Sequence, residues 1–85
     1  MIPEKTIMRV AAKSDVKKLS AAIAATLADE NAVSLSCMGA DAVNQAVKAV
    51  AFLQRFSSGK ITISPYFESD NHNLCTRILL EIDRI

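Results

Sequence analysis

The sequence has no tryptophan, one histidine, two glycines and two cysteines among 85 residues, and ten basic side chains against nine acidic ones leave a net charge of only +1. Each scarcity excludes a class of protein. Two glycines cannot build the glycine-rich cradle that nucleotide phosphates need. Cys37 and Cys75 are far apart, and with a single histidine they make no zinc signature, so no metal and no other cofactor is expected. His72 lies in the most polar stretch, Ser69-Asp70-Asn71-His72-Asn73, where an exposed side chain is a better description than a general base. There is no serine of the nucleophile-elbow type. These absences together predict a protein that is not an enzyme and takes no small-molecule substrate. The charge balance is far from that of a strongly basic DNA-coating protein. No apolar run is long enough to span a membrane, and the opening Met1-Ile2-Pro3-Glu4-Lys5 has no hydrophobic stretch after its charge. A cytoplasmic location with reduced, buried thiols is therefore expected.

Small aliphatic residues take the place of the missing aromatics: 51% of the chain is hydrophobic and 5% aromatic. Eighty-five residues suffice for one domain, taken as 1–85, and a core of this size leaves a thin stability margin that oligomerisation commonly widens. Periodicity predicts six elements. Thr6 to Ala12 alternates as a strand, with Ile7, Arg9 and Ala11 on one face and Met8, Val10 and Ala12 on the other. Ser14 or Asp15 offers an N-cap for a helix over 15–30, whose stripe is Val16, Leu19, Ile23 and Leu27 and whose opposite face is mostly alanine. Ala32 to Met38 alternates Val33, Leu35 and Cys37 with Ser34 and Ser36, predicting one apolar face and one that hydrogen-bonds or meets solvent. Gly39 breaks the pattern before a second helix over 40–56, with Val43, Val47 and Val50 expected inward beside Ala46, and Ser57-Ser58-Gly59 as the closing turn. Lys60 to Glu68 and Leu74 to Asp83 make a hairpin, in which Pro65 requires an edge position or a bulge. The order β-α-β-α-β-β with right-handed crossovers predicts an α/β (α+β) fold of two layers: a four-stranded mixed sheet with both helices on one face.

Two groups of residues are candidates for contact. On the second helix, Asp41, Asn44, Gln45, Lys48, Phe52 and Arg55 step by three or four and share a face away from the valines. Asn44 and Gln45 each both donate and accept, and Phe52 is an aromatic on a polar side, so Asn44, Gln45 and Phe52 are the expected oligomer interface. Near the first helix, Lys13, Lys17 and Lys18 gather around an N-terminus whose free amides also suit phosphate oxygens. Arg77, on the last strand, is placed to extend that basic track.

Three stretches carry a resemblance: Arg9-Val10-Ala11-Ala12-Lys13-Ser14, then Met38-Gly39-Ala40, then Val43-Asn44-Gln45-Ala46-Val47-Lys48-Ala49-Val50-Ala51. In these, and in the order of its elements over nearly the whole chain, the sequence resembles the stage V sporulation protein S family, which looks like a bacterial branch of the Alba-like fold. The resemblance implies a dimer or higher homo-oligomer that binds DNA or RNA through the loop before the first helix, the start of the second helix and the strand hairpin. By position it assigns Lys13, Ser14, Lys17 and Lys18 to the first of these, Gly39, Asn44, Gln45 and Lys48 to the second, and His72 and Arg77 to the third. It also implies a regulatory role in spore formation. Two local features work against tight binding: Asp70 sits in the hairpin turn and Asp41 at the start of the second helix, although the latter suits the helix dipole. The competing expectation is a protein-interaction or oligomerisation regulator that keeps the fold without strong nucleic-acid binding.

Overall fold

The computed structural model describes residues 6–30, 32–68 and 77–85. Among them lie four strands and two helices: β1 (Ile7–Val10), α1 (Val16–Glu30), β2 (Ala32–Met38), α2 (Ala40–Gln54), β3 (Ile61–Phe67) and β4 (Arg77–Arg84). The expected elements are all present, shortened by a few residues at most ends. Ala11 and Ala12 leave the first strand for a turn, and α2 stops at Gln54, before Phe56. Asn31, His72, Cys75 and the expected polar turn around Asp70 lie outside the described residues.

The strands form one mixed sheet in the order β1-β2-β4-β3. β1 runs parallel to β2, whereas β4 runs antiparallel to both β2 and β3. The second strand of the hairpin thus enters the middle of the sheet and leaves β3 at the edge. Pro65 explains the choice, because an edge strand tolerates a residue with no amide to donate. The sheet and its two helices are an α+β arrangement consistent with the Alba-like β-α-β-α-β-β layout.

Alternation decides which residues enter the core. On the helix side, Val33, Leu35 and Cys37 of β2 and Ile82 of β4 are completely or almost completely buried, facing Ile23 and Leu27 of α1. Burial raises the Cys37 thiol pKa, and the cysteine is free. α2 corrects the expected inward face. Ala42, Ala46 and Ala49 carry no exposed surface and Val50 very little, whereas Val47 is 44% exposed and Val43 half-buried. The physical reason lies in the close packing of α1 on α2: side chains no larger than a methyl let the two helix axes approach, and Val47 is turned to the flank with Val43 at the margin.

Two loops are held by specific groups. Gly59 has a carbonyl oxygen of Ile85 only 2.7 Å from where a Cβ would stand, so any other residue would push the C-terminal segment away. The Gln54 side chain spans the α2–β3 connection: its Nε2 donates to the Gly59 carbonyl at 2.9 Å and its Oε1 accepts from the Ile61 amide at 2.7 Å. Gln54→Ala strands both backbone groups, and it is expected to cost about 1–3 kcal/mol in urea unfolding. Gln54→Glu retains the acceptor only, so it should lose less than the alanine variant.

Candidate functional site

The strand directions bring the sequence-predicted site residues to one end of the sheet. Because β1 and β2 are parallel, Val10 and Cys37 are paired and both strands finish at the same edge. Met38 is opposite Arg77, so β4 begins there. Phe67 is opposite Ile78, and the Glu68 amide donates to the Arg77 carbonyl at 2.9 Å, so the root of the hairpin is there too. The 11–15 turn, Gly39, the start of α2 and Arg77 therefore share one end of the molecule.

The 11–15 turn is built by serine and aspartate in different roles. Ser14 folds back on Ala11: its amide donates to the Ala11 carbonyl at 3.0 Å, and its Oγ accepts from the Ala11 amide at 2.9 Å. Asp15 is the cap, with Oδ1 accepting from the Lys18 amide at 3.0 Å. That amide bond lowers the Asp15 carboxyl pKa most; desolvation works against it, and the Lys17 amide and the charges of Lys17 and Lys18 lower it further. Lys13, Lys17 and Lys18 all remain exposed around this capped terminus.

Gly39 opens α2 with a positive φ of 89°, a conformation in which any L side chain is strained although the space around it is open. No side chain caps this helix, which leaves the amides of the exposed Ala40 and Asp41 without a capping partner, while Ala42 is buried. Asp41 is exposed in that turn, where its charge complements the helix dipole. Gln45 has a role the sequence did not reveal. Its Nε2 donates to the Ser14 carbonyl at 2.9 Å, which joins the first turns of the two helices into one surface.

The other expected contact residues are distributed more widely. Lys48 is exposed and eight residues beyond Ala40, about 12 Å along α2. Phe52 is half-buried, with its ring centroid 5.3 Å from that of Phe56 in a tilted pair, and lies about 18 Å along α2 from the helix start. Asn44 is exposed on a different flank from Gln45. It lines an open groove of about 530 Å³ together with Gly39, Ala40, Val43, Val47 and Ile78. Just beyond, on the same side of the hairpin, Phe67 is 78% exposed.

Arg77 is at the same end but on the sheet face that carries no helix, where the register places it with Ser34, Ser36 and Met38. Ser34 and Ser36 are buried rather than solvated, each 3% exposed. Ser36 Oγ donates to Glu68 Oε1 at 2.8 Å and accepts from Arg77 Nη1 at 3.3 Å. Serines at alternate positions of a central strand were a visible signal, but their partners, 32 and 41 residues away, were not. Arg9 is exposed on this face opposite Ser36 and adds a further cation.

Among the described residues no group of three or more histidine, cysteine, aspartate or glutamate side chains could hold a metal ion. No described helix is long and apolar enough to cross a membrane. The family model for stage V sporulation protein S matches residues 6–81, a span that includes both helices, the first three strands and most of β4. The end of the sheet that gathers Lys13, Gly39, Asn44 and Arg77 lies within that span, and the chain belongs to the stage V sporulation protein S family.

Proposed function

We propose that this sporulation-family protein is a homodimeric, cytoplasmic nucleic-acid-binding regulator without catalytic activity. The observation that carries it is the gathering of Lys13, Lys17 and Lys18, the uncapped start of α2 and Arg77 at one end of the sheet. Exposed lysines and free helix amides are both phosphate ligands, and neither reads bases. Lys48 extends the same basic surface along α2, and the Gln45–Ser14 bond holds the two helix starts in fixed relation. Binding of this kind is weak per protomer, indifferent to sequence and strongly salt-dependent.

A second copy is the proposed occupant of the α2 groove. Ala40, Val43, Val47 and Ala51 form a flank without charge, and Asp41, Lys48 and Arg55 lie on the adjoining flank with Asn44 between the two. A self-complementary stripe of small and β-branched residues suits two-fold packing of α2 on its copy, with Phe67 and Ile78 at its border. In this reading Asn44, which lines the groove, belongs to the interface, while Gln45 bonds the Ser14 carbonyl and Phe52 packs on Phe56 within the protomer.

The test is an ionic-strength series by fluorescence anisotropy on duplex and single-stranded oligonucleotides. Micromolar affinity at low salt is expected, with log K falling by about 0.9 per phosphate contacted on a duplex. Lys13→Ala and Lys48→Ala should each weaken binding and flatten that slope by about one contact. An absence of binding at low salt, or binding indifferent to both substitutions, would falsify the nucleic-acid role.

A further inference from the structure

We propose that Glu68 sets the strength of phosphate binding at the root of the hairpin by restraining Arg77 through the hydroxyl of Ser36. The inference rests on the nucleic-acid reading and adds a residue that limits it.

The geometry is specific. Glu68 belongs to the β3 side of the hairpin and Ser36 to β2, with β4 between them. To accept from Ser36 at 2.8 Å, the Glu68 side chain must cross the open face of β4 at the level of Arg77. Arg77 turns toward the same hydroxyl and donates to it at 3.3 Å. Arg77 is diagonal to Ser36 in the β2–β4 register, since Met38 pairs with Arg77 and Ser36 with Leu79, and a diagonal neighbour is within reach of a long side chain. Guanidinium, hydroxyl and carboxylate thus form one polarised line, in which each member strengthens the next.

The line ends in a carboxylate, and this decides its effect. A phosphate approaching Arg77 meets a cation already tied, through one hydroxyl, to the Glu68 carboxylate. Glu68 and Arg77 are both half-buried, so solvent screens their interaction less than it would on an open surface. Ser36 is the hinge of the arrangement. At 3% exposure its hydroxyl has no water to turn to, and both of its hydrogen bonds are spent on holding the two charges in place. Among the described residues, Arg9, opposite Ser36 on β1, and Glu81, opposite Ser34 on β4, are further charges on this face near the cluster.

The discriminating variant is Glu68→Gln, whose amide oxygen still accepts from Ser36 while the negative charge is gone. In the same anisotropy series, its affinity for duplex is expected to rise about threefold to tenfold, with a salt slope steeper by about 0.9 as Arg77 takes up one phosphate. Adding Arg77→Gln to Glu68→Gln should return both quantities to the level of Arg77→Gln alone. An unchanged affinity and slope in Glu68→Gln, beside a wild type that binds, overturns this inference and leaves the nucleic-acid reading intact. A gain that persists without Arg77 also overturns it. Binding by Glu68→Gln but not by the wild type supports the restraint and removes the nucleic-acid role from the native chain, while binding by neither overturns both. If Glu68→Gln does not fold, Glu68→Asp withdraws the carboxylate from Ser36 by one methylene; it should show a smaller gain of the same sign, and its absence would count against the proposal.

Discussion

Truncating Leu35 to alanine is expected to remove about 2–5 kcal/mol of stability, the usual cost of deleting most of a fully buried aliphatic side chain and leaving a cavity. Leu35 has no exposed surface and lies in a strand flanked on both sides, paired with Met8 on β1 and Leu80 on β4. No neighbour is free to collapse into the gap, because strand pairs fix the backbone on both sides and α1 and α2 close the top. A domain of this size has roughly 4–13 kcal/mol in total at about 0.05–0.15 kcal/mol per residue. A loss of this order takes away between about a sixth of the margin and all of it. Urea unfolding should show a lower midpoint with an unchanged slope, and the thermal midpoint should fall by at least about 8 °C. Leu35→Met, which conserves volume, should cost under about 1.5 kcal/mol. A loss below about 1 kcal/mol in Leu35→Ala would mean that β2 is less enclosed than its burial indicates.

Val47→Asp is expected to have the opposite profile, leaving the protomer folded and abolishing the dimer. Val47 is 44% exposed in the single protomer, so a carboxylate there can remain in water and should change unfolding by no more than about 0.5 kcal/mol. In a two-fold α2 pair, however, two such carboxylates would face each other near the axis without a counter-charge. Desolvation and repulsion then act together, and dissociation by at least about a hundredfold is the expected result. Sedimentation or light scattering would read it as a halved mass. Phe52→Ala should leave the mass unchanged, since that ring is engaged with Phe56. In the proposed dimer two basic ends on one particle would raise avidity through effective concentration, so Val47→Asp should weaken duplex binding without touching any proposed phosphate ligand. A dimer that survives the substitution would place the interface elsewhere.

Legibility from sequence followed the range of the interactions. β2 was readable to the residue, because strict alternation of Val33, Leu35 and Cys37 with serines has one structural meaning. The cap region was readable as a choice between Ser14 and Asp15, and three-dimensional bonding resolved it in favour of Asp15. The inward face of α2 was read correctly at Ala46 and Val50, but Val47 was placed inward and Ala42 and Ala49 were missed, because valine outranks alanine in any hydrophobic pattern. The pattern carries no information on how closely a second helix approaches, and that distance is what selects Ala42, Ala46 and Ala49. The common end of the lysines, Gly39 and Arg77 follows from element order once β1 and β2 are parallel. The bonds that organise that end do not: Gln45 to Ser14 and Ser36 to Glu68 join residues more than 30 positions apart. The alternation of β2 marks Ser36, but nothing local in the sequence distinguishes Gln45 or Glu68 from solvated neighbours or names the partner of any of them.

The central position of β4 also has a temporal consequence. During synthesis β1, α1, β2, α2 and β3 all precede the strand that must lie between β2 and β3. Until residues 77–84 leave the ribosome, β3 has no partner and the inner edge of β2 stays unpaired, so the nascent chain can bury only the α1–α2–β2 part of its core. Completion is expected to wait for β4 and to be limited by long-range pairing, with an exposed strand edge in the interim that a second nascent copy can capture.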